Sequence, residues 1–561
     1  MTLRNSTPLT LIPRGLSDAL DATNVFAGAM ASLQNLIVDP STRGLWQCRP
    51  AAQALGIVAA GAFSSGFSSG FLIGAVSPAT APGPITVMKI IGNVAYGMVA
   101  SSSFVGNDVP FAYNLLTNTF QTITGITSSN TPTSPPSSGA WTPPTMDLVG
   151  TNLLVTHPGF TGAGGNYFGW IDVSNPSALS WSAGNLTGLV TFSTPPSFVR
   201  NFNGRAYWIT NPPTGQPAVV FSDVLVPRNV TNANQVITFD DNVPLTALGP
   251  LPLNNQLGGI IQGLIVFKGV QNVYQITGDA ALSNLAKNAL NVATGTLAPN
   301  TIVPTPKGLA FVAPDGLRFV DFAANVSDPL GVDGMGKVLP FIYSVVPSRM
   351  VAAANGSVIR ISTQDGSLNG SPNVEYWLDL PRQVWSGPHT FAAACIAPWN
   401  NTFIVAPVGI QASLWRSDYV QNSTSTFVEN GTQMTFNWTT AMLPDTNQMS
   451  ENAMIETTIY MAQAPGATYG VFALDQNGSV IQQSSVSNTA QPTKWGSFTW
   501  GSAPWGGGTS ALFPRRVDWP KPVVFRRMQM FLQGNSDQAV RIGMLHMKYE
   551  KLGYLQQGAA A

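Results

Sequence analysis

The chain has 561 residues and only 9% of them are charged, against about 25% in an average soluble protein. Lys+Arg and Asp+Glu number 26 each, so the net charge is zero, which excludes the basic field that grips nucleic acid through clustered phosphates. With 54 Gly and 43 Pro the chain cannot be mostly helical, and 44% hydrophobic content excludes wholesale disorder.

Residues 1–54 read as an arm. Asp18-Ala19-Leu20-Asp21-Ala22 offers a helix start, and Ala29 to Leu36 is the best helical window. Met1 to Asn5 has no apolar run of the secretory type, so no signal peptide is expected. Ala51 to Val87 is uncharged, but Phe63 to Phe71 is mostly Ser and Gly, and prolines follow at 78, 82 and 84. A membrane span wants about 20 predominantly apolar residues, so buried strand and loop is expected there and no stable membrane insertion.

From 55 to 427 a short phrase recurs: a Gly- or Asn-marked turn leading into an apolar strand. It stands at Gly92-Asn93-Val94, Thr151-Asn152-Leu153, Asn203-Gly204-Arg205, Gly263-Leu264-Ile265, Gly308-Leu309-Ala310, Asn355-Gly356-Ser357 and Asn400-Asn401-Thr402. The spacing, roughly 45 to 60 residues, is that of a four-stranded propeller blade. An all-β fold is therefore expected, a β-propeller of six blades, or seven. Thr127 to Pro144 is expected as an exposed Ser/Thr/Pro-rich loop, and Asn211 to Val219 as a Pro-rich connection. Ala280 to Ala293 has mixed period and admits one short helix. Asp315-Gly316 and Asp365-Gly366 signal hairpin turns.

From 428 to 561 the character shifts to long alternating strands, Met454 to Tyr460, Thr468 to Leu474, Val523 to Leu532 and Val540 to Tyr549, with a tight turn at Asn477-Gly478. These predict an additional β-sandwich or sheet platform, formed by the N-terminal arm together with this C-terminal region. Trp495, Trp500, Trp505 and Trp519 lie in a long Gly- and Pro-rich loop, Ser484 to Pro522, suited either to an interface or to packing on the sandwich edge.

Motifs for chemistry are weak. Gly66-Phe67-Ser68-Ser69-Gly70 matches a nucleophile elbow in letters but has no helix after it. Gly331 to Val338 resembles a phosphate-binding loop, yet Val338 replaces the hydroxyl that would bind magnesium, and Pro340 follows. His157, His389 and His546 share no metal-type spacing, and Cys48 and Cys395 read as two free buried thiols. The sequons at Asn229, Asn430 and Asn437 are what an Asn-, Ser- and Thr-rich chain contains by chance. Arg515-Arg516 and Lys521 with Arg526-Arg527, interleaved with Trp519 and Phe525, read as a solvated strand edge or as intersubunit ion pairs, with an acidic partner or DNA as the alternative. No catalytic, cofactor-binding or metal-binding residue is assigned, and no cofactor is expected. Carboxylates of a glycosidase pair need not be close in sequence, so a carbohydrate-binding or carbohydrate-cleaving propeller of depolymerase or lectin type stands as the alternative. Stacked jelly rolls of a capsid or spike protein are a further one.

Four segments together carry a resemblance. They are Leu33 to Pro40 running to Arg49-Pro50, Leu264 to Lys268 with Val273 to Asp279, Thr301 to Val303 through Gly308 to Arg318, and Trp377 to Ser386. The chain resembles the tail nozzle, or tail tubular protein B, of short-tailed bacteriophages and the related packaged-DNA stabilisation proteins. The resemblance implies a structural, non-enzymatic virion protein of the tail, assembled as a homohexameric ring. Such a ring continues the DNA channel, retains the packaged genome and passes it during ejection without sequence-specific binding. Implied partners are a tail adaptor or portal-proximal protein, and tail fibres or spikes. Phe63–Phe71 and Ser484–Pro522 are candidate gate loops of that channel.

Overall fold

The computed structural model describes residues 6–12, 14–16, 29–39, 45–55, 85–100, 106–135, 142–254, 260–278, 284–290, 292–330, 346–364, 373–408, 414–419, 427–429, 431–443, 450–462, 468–487, 512–535 and 540–554. Among them every regular element is a strand or a single 3-10 turn, so the protein is all-β. No described helix is long and apolar enough to cross a membrane.

Six small free-standing sheets are arranged as blades of a β-propeller. Their innermost strands are Ile85–Ile91 (blade 1), Thr145–Val149 (blade 2), Phe198–Phe202 (blade 3), Leu245–Asn254 (blade 4), Val303–Thr305 (blade 5) and Ala393–Trp399 (blade 7). Between blades 5 and 7 lies a further four-stranded meander, blade 6: Val351–Asn355, Val358–Ser362, Glu375–Asp379 and Val384–His389. Its inner strand touches those of blades 5 and 7 and closes the ring. Six blades thus stand free, and one is shared with another layer.

The expected hairpins form for local reasons. Asn203 and Gly204 take φ of 50° and 71°, the pair of left-handed residues that a two-residue turn needs to match strand twist. The next strand, Arg205–Thr210, turns Tyr207 and Ile209 to one interblade core and Ala206 and Trp208 to the other. This is why propeller strands read as continuous apolar runs instead of alternating ones.

The platform is two sheets face to face. One has seven strands and joins Ser6–Leu11, Leu36–Val38 and Trp46–Cys48 of the arm to Ser450–Met461, Phe513–Arg516, Val524–Phe525 and Arg541–Tyr554. The other has ten: blade 6 continues through Ala29–Gln34, flanked by Gly15–Leu16, to Thr435–Thr440, Gln529–Asn535, Thr468–Leu474 and Val480–Ser487. A single apolar cluster, including Met30, Trp438, Ile459, Leu532 and Leu545, fills the space between them. The arm also reaches the ring, where Gln53–Ala54 supplies the outer strand of blade 7.

Two helical expectations are corrected. Ala29–Gln34 is a strand, because Leu33 pairs with both Gly387 and Trp438 across the sheet. Ala286–Ala289 is the fourth strand of blade 4. Tertiary pairing overrides the local propensity of Ala, Met and Leu at the first place and of Ala and Lys at the second. Nor is the Thr127–Pro144 connection wholly exposed: Thr131 and Pro132 are buried, and Asp108 N donates to Pro132 O at 2.9 Å.

Candidate functional site

Each blade turns its innermost strand to the propeller axis, so residues scattered along the chain meet there. They enclose a cavity of about 320 Å3. Its apolar lining residues include the half-buried Met88, Ile90 and Ile396, and its neutral polar ones Thr86 and Asn300. The ionisable side chains that line it in cationic form are Lys89 of blade 1 and Arg200 of blade 3; no Asp or Glu is among its described lining residues.

Asp147 of blade 2 sits behind the cations. Lys89 Nζ donates to Asp147 Oδ1 at 2.8 Å and Asn201 N donates to Oδ2 at 2.8 Å. Burial pushes this carboxyl up, but Lys89, Arg200 and the Asn201 amide outweigh burial and hold it below its ordinary value. Lys89 keeps 36% of its side-chain exposure. Arg200 Nε reaches the Leu248 carbonyl at 3.4 Å and its guanidinium lies 5.1 Å from the Phe198 ring centroid. Among the described residues it makes no direct ion pair. The described lining thus carries two cations and no carboxylate, with Asp147 and Asp108 set behind it, bonded to Lys89 and to Thr86 Oγ1, both at 2.8 Å.

A second charged cluster lies where the arm, blades 6 and 7 and the C-terminal region meet. Arg49 donates from Nη1 and Nη2 to the two Glu429 carboxylate oxygens, both at 2.8 Å, and from Nε to Asn35 Oδ1 at 2.9 Å. Arg360 is paired with Glu375 by two bonds of 2.7 Å, both side chains being 1% exposed. Its guanidinium also lies 4.4 Å from the Trp377 ring centroid. His389 is buried beside both arginines: its Nδ1 accepts from Asn35 N at 3.0 Å and its Nε2 faces Ser386 Oγ at 3.2 Å. Burial first, then Arg49 and Arg360, hold His389 well below the ordinary histidine value, hence neutral. The charged groups are paired with one another and largely buried, so the cluster reads as a structural joint.

The residues singled out in the sequence fall elsewhere. The three histidines are separate: His157 bonds Asp108 at 2.9 Å deep in the propeller, His389 lies in the joint and His546 faces Thr10 at 3.0 Å. No group of three metal-ligating side chains occurs among the described residues. Cys48 and Cys395 are buried and neither is in a disulfide. Arg515 and Arg516 lie on the strand that ends the seven-stranded sheet, with Arg516 3.3 Å from Asp518. Trp519 packs on the platform core and donates to Thr457 Oγ1 at 3.1 Å. Gly66–Gly70, Gly331–Val338, Phe63–Phe71, Trp495, Trp500 and Trp505 lie outside the described residues, as does the Asp365-Gly366 turn. Sequence reading missed Lys89, Asp147 and Arg200. Their one signal is a lone charge in the middle of an apolar inner strand, in a chain with few charges.

Fold and cavity together define a β-propeller protein with a sheet platform. No protein-family model matches the chain, and no curated protein matches it. Solved structures do. A puromycin hydrolase matches at 9% identity and a TM-score of 0.38, over 64% of this chain and 58% of the hydrolase. A sialidase of Trypanosoma rangeli matches at 9% and 0.29, over 76% of this chain and 93% of its own. A Bombyx mori GH32 β-fructofuranosidase matches at 9% and 0.24, over 90% and 94%. The chain therefore spans little more than half of the hydrolase, and the likeness to all three is one of fold alone. It nevertheless corrects the expectation of a chain without enzymatic activity. These propeller-bearing neighbours are enzymes by name, so the exclusion of catalysis is withdrawn.

Proposed function

We propose that the chain is the subunit of a ring-shaped tail nozzle of a short-tailed bacteriophage, continuing the DNA channel and retaining the genome until ejection. The observation that supports this reading is the ten-stranded sheet that runs from blade 6 through the arm into the C-terminal platform. A propeller that shares a sheet with a platform built from the arm and the C-terminal region is a two-part building block. The platform ends in Val480–Ser487, an eight-residue strand without a charged residue, and such edges suit pairing between chains. Six copies would form the ring, docked on an adaptor and carrying fibres or spikes. Mass photometry and negative-stain imaging of the purified protein, alone and with the adaptor, test this. The expected particle is a ring near six times 59.2 kDa with an axial hole. A persistent monomer under both conditions removes the reading.

The axial cavity favours a second reading, a carbohydrate-binding or carbohydrate-cleaving propeller. Polar and cationic groups converge there in an otherwise apolar pocket, the usual composition of a small-molecule site. The named sialidase and fructofuranosidase stand on this side, although the cavity is what supports it. A two-carboxylate hydrolysis site is not built by the described residues that line the cavity. A glycan-binding and glycan-cleavage screen on the whole chain tests this reading.

A further inference from the structure

We infer that the axial cavity binds one carboxylate-bearing sugar unit, with Arg200 and Lys89 receiving the carboxylate. This deepens the saccharide reading of the same cavity and rests on it. Three observations lead there.

The first is charge. Lys89 and Arg200 line the cavity, Asp147 satisfies only one of them directly, and no carboxylate pairs with Arg200 among the described residues. A cation held in a partly buried, largely apolar pocket gains most from a partner that brings one negative charge and hydrogen-bond acceptors. The guanidinium fork matches the two oxygens of a carboxylate.

The second is size. A volume of about 320 Å3 lies at the lower end of ligand pockets, roughly 300 to 1,000 Å3. That is room for a single ring and excludes a nucleic-acid strand or a folded peptide.

The third is the wall. Met88, Ile90 and Ile396, half-buried residues of the lining, offer a surface for the C–H face of a pyranose, while Asn300 supplies an amide partner. A simple inorganic anion would leave that apolar wall unused.

The test is isothermal titration calorimetry on the full chain with three probes: glucuronate, glucose and acetate. Glucuronate is expected to bind, more weakly as salt is raised, and glucose and acetate to bind at least tenfold more weakly. Arg200→Gln should lose about tenfold or more in glucuronate affinity, the usual effect of removing a charge-assisted pair. Asp147→Asn removes the competing anion and should strengthen glucuronate binding severalfold. Thermal melting confirms that each variant is folded, and the two variants move affinity in opposite directions, which a general loss of structure cannot do. If glucose binds as well as glucuronate and Arg200→Gln changes neither, the anion assignment falls while the saccharide reading stands. If acetate binds as well as glucuronate, the sugar contributes nothing and the inference is overturned together with that reading. Absence of binding by all three overturns both.

Discussion

Arg49 and Glu429, 380 positions apart, form a two-pronged ion pair at 2.8 Å in which Arg49 is 1% and Glu429 12% exposed. The pair fixes the arm to the strand that leads into the C-terminal platform, and Glu429 also accepts from Ala52 N at 2.9 Å. Removing one member of such a pair leaves an uncompensated buried charge, which costs about 3–5 kcal/mol. Glu429→Gln is therefore expected to lower the unfolding free energy by that order, measured by denaturant titration. The double change Arg49→Met with Glu429→Leu should be markedly less harmful than either single change. Burial pushes the Glu429 carboxyl up, but Arg49 and the Ala52 amide outweigh it and hold it below its ordinary value. A lowered carboxyl stabilises the fold above the ordinary glutamate range, and the contribution is lost as pH falls through the lowered value.

His389 gives a separate acid response. Its folded value lies well below 6.5, so below about pH 6.5 the unfolded chain takes up a proton that the native joint refuses. Stability then falls by about 1.4 kcal/mol per pH unit for this one group. Arg49 and Arg360 face the ring, each neutralised by its own glutamate, and no carboxylate bonds the imidazole itself. His389→Gln should remove this slope between about pH 6.5 and 5, read as the difference between the two proteins in melting temperature against pH.

The two thiols should be inert in the native protein. Burial raises both Cys48 and Cys395 to about 12, and only the thiolate attacks alkylating agents. Iodoacetamide at pH 8 is expected to leave the folded chain unmodified and to add two labels in denaturant, counted by intact mass.

Gly169 is a packing position. A Cβ built there would lie 2.1 Å from the Trp181 ring, which is 2% exposed. The ring cannot move aside in a filled interblade core, so Gly169→Ala should cost about 1–3 kcal/mol, measured by thermal unfolding.

Much of this architecture could be read before any coordinates. The recurring turn phrases number seven, and six of them fall at the hairpin that opens a blade, as at Gly92 between Ile85–Ile91 and Val94–Ala100 and at Gly356 between Val351–Asn355 and Val358–Ser362. At Gly263 the phrase falls inside the second strand of blade 4 instead. The turns are legible because left-handed backbone selects Gly and Asn whatever the surroundings. Ala29–Gln34 was not legible as a strand, because its helix-forming composition is local and its partners at Gly387 and Trp438 are hundreds of residues away. The axial cavity was hidden for the same reason. Lys89 and Asp147 are 58 positions apart, and only the ring brings them together with Arg200.

The outer strand of blade 7 is Gln53–Ala54, paired with Arg416 and Trp415. On a ribosome this strand therefore emerges long before Trp415 and Arg416 exist for it to join. The circle stays open until its final sector has been synthesised. Closure of so distant a contact is slow, so a nascent chain carries unpaired strand for most of its synthesis. A truncation anywhere before that last sector leaves both the ring and the platform without their fastening.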